Sequence, residues 1–215
     1  MFFFRAEEKS ALEEFKNSFF QQHFMIQERT LVLIKPDGVK RGISGKIISR
    51  FEDAGLKIIA LKLIWADKEL AKNHYFLDEE WAKNVYEKTK KNYEKENKKF
   101  PYKNHMEIGK QIQSWNMDFL REGPVIAIVL EGNHAVELVR KMIGSTEPRS
   151  SLPGTIRSDF ASVESFAVAD SKKRVIKNLV HASDSAENAK REINLWFSPE
   201  EIHSDYKTAS QIILE

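Results

Sequence analysis

The hydrophobic pattern changes period several times along the chain. Residues 30–36, Thr-Leu-Val-Leu-Ile-Lys-Pro, form a short apolar run closed by proline, the form of a buried strand. Asp37-Gly38 reads as a turn. Ile47, Ile48 and Phe51 then recur at helical spacing, with Gly55 placed to close the helix. Residues 57–66 are rich in β-formers and predict a second strand, followed by a helix over 67–77. Val125–Leu130 is a fully apolar strand, and Val136, Val139, Arg140 and Ile143 belong to a helix ended by Gly144. Residues 145–159, with Pro148, Pro153 and Gly154, predict a loop. Leu179-Val180 is short and fits an edge or final strand. Asp184-Ser185-Ala186-Glu187 has capping-box spacing and opens a helix carrying Ile193, Leu195 and Trp196. Alternating strands and helices predict an α/β or α+β sandwich, with helices on one face of a sheet.

Three stretches depart from this rhythm. Residues 1–28 hold seven of the 14 phenylalanines, and Leu12, Phe15 and Phe19 recur at helical spacing. They predict an amphipathic arm over 1–27 that packs on its own protein or on another subunit. The mixed sign of its polar face argues against a membrane-surface helix. Residues 79–118 read as a helical insertion, with eight lysines against three glutamates between 81 and 104; a solvated face is the commoner meaning of such a run. Residues 161–177 keep no clear period and form a second candidate insertion.

Composition narrows the function classes. The chain has 215 residues, no cysteine, and 34 basic against 32 acidic residues. The length suits one domain enlarged by insertions. Disulfide scaffolds, thiol nucleophiles and cysteine-bound zinc are excluded. A formal charge of +2 is too balanced to argue for nucleic acid. No apolar run approaches the ~18–20 residues of a membrane span, and the apolar start Met1–Phe4 is too brief for a secretory signal. A cytoplasmic protein without membrane attachment is expected.

Motif searches remove further options. Lys40 and Ile47 stand where a Walker A loop around Gly45-Lys46 needs glycine and Ser or Thr. There is no Gly-x-Ser-x-Gly elbow, and the six histidines are too scattered for a His-based zinc motif. What remains are groups suited to phosphate: Lys35 at the end of the first strand, Arg140 late in a helix, and Thr146, Arg157 and Asn178 in or beside loops. His181 lies between an apolar segment and a capped helix, whose N-terminus favours phosphate. A neutral imidazole can act as a phosphoryl nucleophile, with Ser183 and Glu192 as candidate supports. Spacing alone leaves a structural histidine open.

Four blocks in order carry a resemblance. They are Glu28-Arg29-Thr30 through Ile34-Lys35-Pro36-Asp37-Gly38-Val39; Gly123-Pro124 through Arg140 and Gly144-x-Thr146-x-Pro148; Pro153-Gly154-Thr155-Ile156-Arg157-x-Asp159-Phe160; and Asn178-x-x-His181-Ala-Ser183-Asp184-Ser185, ending with Glu192-Ile193-x-Leu195-Trp196-Phe197. The sequence resembles the nucleoside diphosphate kinase family over residues 28–78, about 119–160, and 175–207. The resemblance implies a ferredoxin-like βαββαβ core, with an antiparallel sheet and helices packed on it. It implies ping-pong transfer of a γ-phosphate between nucleoside di- and triphosphates through a phosphohistidine at His181. By the same resemblance Lys35, Arg140, Thr146 and Arg157 match phosphate ligands. Asn178 and Lys35 match groups near the ribose, Tyr75 an active-site tyrosine, Ser183 and Glu192 the supports of the histidine, and Val175 an apolar contact to the base.

Magnesium is expected to arrive on the nucleotide phosphates, without a dedicated carboxylate cage and with Asp184 reaching it through water. A homo-oligomer, hexamer or tetramer, is also implied. The insertion after Asp78 replaces the segment in which the family keeps a base-stacking phenylalanine, leaving Trp81, Val85 or Tyr86 as substitutes. Ser158 stands where the family usually has Gly. Two other classes fit parts of the pattern: a kinase-like fold kept for binding, and a hydrolase that releases phosphate to water. The complete set of phosphate ligands with His181 favours the transferase.

Overall fold

A computed structural model describes residues 27–209 and residue 212. Strand β1 (Gln27–Ile34) leads into two short helices, α1 (Pro36–Lys40) and α2 (Ser44–Asp53). Then come β2 (Lys57–Ile64), α3 (Lys68–His74), α4 (Glu79–Lys95), α5 (His105–Leu120), β3 (Val125–Asn133) and α6 (Ala135–Ile143). A long loop holds α7 (Ile156–Ala161) and α8 (Phe166–Ser171), and β4 (Val180–Ala182) and α9 (Ala186–Trp196) follow. The sheet order is β2-β3-β1-β4, antiparallel throughout. This is the expected ferredoxin-like core. The predicted N-terminal arm lies outside the described residues except for Gln27, which opens β1.

One expectation is corrected: helices cover both faces of the sheet. Val32, Ile34, Ile128 and Leu130 pack with Ile47 and Phe51 of α2 and Val139 and Ile143 of α6. Their neighbours Leu31, Leu33, Ala127 and Val129 face the opposite way, onto Ala71 of α3, Leu120 of α5 and Trp196 of α9. Successive strand residues point to opposite faces, so an unbroken apolar run such as Val125–Leu130 already signals burial on both sides. Phe51 is fully buried, and truncating it to alanine costs about 3–5 kcal/mol.

Local signals set the helix ends. Pro36 takes the first turn of α1, where its missing N–H is no loss. Gly55, at φ +78, ends α2, and Gly144, at φ +82, caps α6. The N-cap of α9 is Ser185, whose hydroxyl accepts from Asn188 N at 3.1 Å. Asp184 lies one residue outside it and accepts from Asn188 Nδ2 at 2.7 Å. Helices α4 and α5, which fill the expected insertion, are capped by Asp78 and Asn104. Where they cross, a Cβ on Gly109 would lie 2.9 Å from Ala82 Cβ, so glycine permits the close approach. Within the segment 161–177 the helix α8 spans Phe166–Ser171.

The β2 edge is half covered. The segment after α9 binds its first part through Lys57 Nζ to Ser204 O (2.8 Å), Tyr206 Oη to Ile58 O (2.6 Å) and His203 N to Ile59 O (2.7 Å). Beyond it Leu61, Leu63 and Trp65 are exposed.

Candidate functional site

The edge strand β4 carries His181, paired opposite Leu33 of β1. Its neighbours Val180 and Ala182 enter the α2/α6 core, so alternation turns the imidazole to the α3/α9 side. There His181 Nε2 lies 2.9 Å from Glu192 Oε2, and Ser183 Oγ donates to the same oxygen at 2.7 Å. Ser183 is held in turn by Leu31 N, which donates to Oγ at 3.3 Å. A carboxylate only accepts, so Nε2 carries the hydrogen and the lone pair sits on Nδ1. Burial opposes the charge on Glu192, but His181, His74 and Ser183 outweigh it and bring the carboxyl down to about 2. The His181 side chain is 23% exposed, which leaves the ring reachable.

Behind His181 lies His74, at the end of α3. The rings meet edge to face at 4.5 Å, and Trp196 Nε1 donates to His74 Nδ1 at 3.2 Å. Burial first, then the neighbouring His181, holds His74 well below the usual histidine range. His74, His181 and Glu192 are the one metal-like cluster among the described residues, with ligand atoms within 4.8 Å of one another. The cluster does not fit a metal. The Trp196 bond fixes the hydrogen of neutral His74 on Nε2, so that atom offers no lone pair. Its nitrogen-rich set also suits magnesium poorly, since magnesium takes oxygen ligands.

The predicted cations gather beside this line. Lys35 caps α1 and donates from Nζ to Asn178 Oδ1 at 2.8 Å, while Asn178 Nδ2 donates to Thr146 O at 2.7 Å. Burial, then the Arg157 charge, lowers Lys35 to about 7. Arg157, on α7, is buried and donates to the carbonyls of Asn178 (3.3 Å), Gly144 (2.8 Å) and Val180 (2.8 Å). Burial and the nearby Arg140 hold it at about 10. Three of its five donors therefore tie α7 to the end of α6 and to the start of β4, and two remain for a ligand. Tyr75 follows α3; its buried hydroxyl has no partner, and burial raises its pKa. Two like charges and an unpaired hydroxyl are the chemistry of a site awaiting an anion.

Other predicted residues stand further out. Arg140 and the Thr146 side chain are exposed. Arg140 lines a surface hollow of about 510 Å³ with Glu28, Val136, Lys141 and Asp184, and His181 is not among its walls. Val175 is half-buried beside Arg174, which donates to its carbonyl at 2.8 Å. Of the three substitutes for the base-stacking aromatic, Tyr86 is engaged edge to face with Phe100 at 5.0 Å, while Trp81 and Val85 are half-buried on α4.

Sequence reasoning missed His74 and Trp196 behind the imidazole, and Phe119, whose ring lies 5.7 Å from Lys35 Nζ. A signal existed for His74: it continues the apolar face of α3 three residues after Ala71, and a polar residue on an apolar stripe asks for a partner.

A reachable imidazole held in one tautomer, on a strand beside which Lys35, Asn178 and Arg157 are brought together, suits acceptance of a phosphoryl group, and the class this defines is a phosphotransferase. The nucleoside diphosphate kinase family model matches residues 28–202. The nucleoside diphosphate kinase of Pyrobaculum aerophilum is 45% identical over 179 residues, covering 81% of this chain and 97% of its own. That of Pyrococcus furiosus is 43% identical over 182 residues, covering 85% and 90%. The chain belongs to the nucleoside diphosphate kinase family. Among solved structures, the NDP kinase of P. aerophilum superposes with a TM-score of 0.79 at 42% identity, covering 83% of this chain and all of its own. A transition-state mimic of the Borrelia burgdorferi enzyme with bound vanadate and ADP gives 0.72 at 34% identity, over 88% and 97%.

Proposed function

We propose that His181 is the nucleophile through which this phosphotransferase moves the γ-phosphate of a nucleoside triphosphate onto a nucleoside diphosphate. The Nδ1 lone pair attacks the γ-phosphorus in line with the leaving diphosphate. The N–P bond forms as the P–O bond breaks, and the electron pair leaves on the diphosphate oxygen. Glu192 keeps the Nε2 hydrogen and balances the positive charge of the phosphorylated ring. A second diphosphate then attacks the same phosphorus and frees the imidazole. Lys35 and Arg157 neutralise the phosphates from inside the site, and Arg140 and Thr146 reach them from its rim. Asn178 and Lys35 serve the ribose, Tyr75 supplies its unpaired hydroxyl, and Val175 lies against the base. Positioning and charge neutralisation carry most of such a transfer.

The observation that carries this reading is the Ser183–Glu192–His181 line, which fixes one tautomer of a reachable imidazole. Magnesium belongs on the nucleotide phosphates, and the exposed Asp184 is the carboxylate we assign to it through water. Residues 28–215 act as the catalytic domain, with 79–118 and 161–177 inserted in it. The exposed Leu61 and Leu63 on the open part of β2, with Trp65 just after it, support a homo-oligomer, since such an edge seeks a partner. Light scattering of a monomer at working concentration would overturn that part. The cytoplasm, which holds the nucleotide pool, is the compartment that fits this activity.

The test is intact-protein mass after brief incubation with ATP and magnesium at neutral to alkaline pH, then after addition of GDP. One phosphoryl group is gained and then removed, and His181→Ala gains none. Phosphoryl gain in that variant would remove His181 from the mechanism.

A further inference from the structure

The two inserted segments, far apart in sequence, meet. Tyr93 of α4 donates its hydroxyl to Asp170 Oδ1 of α8 at 2.6 Å, and Lys98 Nζ pairs with Asp170 Oδ2 at 2.9 Å. Burial opposes the charge on Asp170, but these two hydrogen bonds prevail and lower its pKa. The Tyr93 ring is nearly buried and packs edge to face on Phe166 of the second insertion and Phe100 of the first, each at 5.5 Å. The result is a small aromatic core closed by a shared carboxylate.

This contact continues toward the nucleotide side. Phe166 N donates to Glu147 Oε1 at 2.9 Å, and Glu147 follows Thr146, whose carbonyl holds Asn178. At the other end of α8, Arg174 N bonds Ala169 O, while its guanidinium grips Glu164 (2.9 and 3.2 Å) and the carbonyl of Val175. The start of α8 is thus fastened to the stretch bearing Thr146, and Arg174 closes the second insertion on itself beside Val175, three residues before Asn178. The first insertion is fastened to the opposite wall, where Gln113 Nε2 of α5 donates to Tyr75 O at 2.8 Å.

We infer that Tyr93 and Asp170 are positioning residues for nucleotide binding: their bond clasps the two insertions so that the loop 145–178 is held ready for the nucleotide before it arrives. A loop ordered in advance binds without the ordering cost. The clasp stands well outside the reacting atoms, so it acts on nucleotide affinity and leaves the chemical step alone. This rests on the phosphotransfer reading above.

The test uses Tyr93→Phe, Asp170→Ala and the double variant in the full chain. Steady-state transfer is measured together with hydrogen exchange of residues 145–178 without nucleotide. A hydrogen bond to a charged group corresponds to roughly 10- to 150-fold in an equilibrium constant. Only part of that loss reaches the loop, so KM for donor and acceptor is expected to rise by about 5- to 10-fold in each single variant, with kcat within about twofold. The double variant is no worse than the more damaged single, because both remove one bond. Loop exchange quickens in all three. Unchanged KM, a loss confined to kcat, or unchanged loop exchange overturns the clasp. Should either variant fail to fold, Lys98→Ala loosens the same carboxylate from an exposed position; a smaller rise in KM supports the clasp and an unchanged KM overturns it. Exchange reads the tether even if the wild type shows no phosphoryl gain from ATP, a result that would instead defeat the phosphotransfer reading.

Discussion

Replacing Glu192 by glutamine separates its charge from its shape. Oε2 receives both Ser183 Oγ and His181 Nε2, while Oε1 faces Arg191 at 3.5 Å. Glutamine can keep an acceptor at the first position, so the tautomer and ring orientation survive. What disappears is the negative charge opposite a ring that becomes positive when Nδ1 gains phosphorus. Hydrogen bonds to charged groups contribute about 1.5–3 kcal/mol against about 0.5–1.5 for neutral ones. The difference, about 1–2 kcal/mol, slows phosphorylation roughly 5- to 30-fold. Alanine does more, because it leaves the fully buried Ser183 hydroxyl and the Nε2 hydrogen without an acceptor, which adds about 1–3 kcal/mol of destabilisation. The assay is rapid-quench single turnover with ATP and magnesium, read as phosphoprotein formed, and the expected order is wild type, glutamine, alanine. Wild-type speed in Glu192→Gln would refute the charge argument, and an alanine variant faster than glutamine would refute the tautomer argument. The wild-type carboxyl falls from 4.5 to about 2 in the fold. Its stabilisation is therefore complete above the unfolded value and is lost only as pH falls toward 2, so Glu192 does not titrate within the assay range.

Lys35, lowered from 10.5 to about 7, links binding to protons. Nucleotide phosphates supply the anion it lacks, so binding near pH 8 takes up roughly one proton; calorimetry in buffers of different ionisation enthalpy measures this, and a buffer-independent enthalpy would contradict it. Without nucleotide, the unfolded chain binds the extra proton between about 7 and 10.5, so the contribution of Lys35 makes the protein more stable as pH rises through that window. Arg157→Lys keeps the charge but cannot hold three carbonyls, one closing α6 and two at the start of β4; a loss of about 2–3 kcal/mol of stability and of both half-reactions is expected, and an unchanged Tm would show the carbonyl bonds to be idle.

The legible part of this protein was carried by short-range order. Strand runs, Gly55, Gly144 and Pro36 announce themselves through local backbone chemistry, and the blocks around Lys35, Arg157 and His181 are continuous in sequence. The one-face reading failed because alternation, the usual guide, is erased when both faces of a strand are buried. His74 and Trp196 were hidden for another reason: 122 residues separate them, and no periodicity reports which buried polar atoms meet. The union of the insertions was equally silent, since Tyr93 and Asp170 lie 77 residues apart on segments that separately read as a solvated helix and an irregular loop.

The shortness of β4 also needs an account, because it places the nucleophile. Leu179 sits at φ +69, a region where a residue with a bulky side chain is strained by about 1–3 kcal/mol. Its side chain is 1% exposed and packs in the α2/α6 core, a burial that contributes about 1.5–3 kcal/mol. Its carbonyl accepts from Lys35 N at 2.7 Å, and its N–H donates to Asp37 Oδ2 at 3.1 Å. Burial and two hydrogen bonds therefore outweigh the strain. Glycine would relieve the backbone but empty the core position, so leucine is the better residue despite its conformation. The consequence reaches the site: the left-handed turn ends the ladder, and Asn178 meets Lys35 and Thr146 instead of extending the strand. A longer, regular β4 would pair Asn178 along the sheet and leave Lys35 with no partner to aim it.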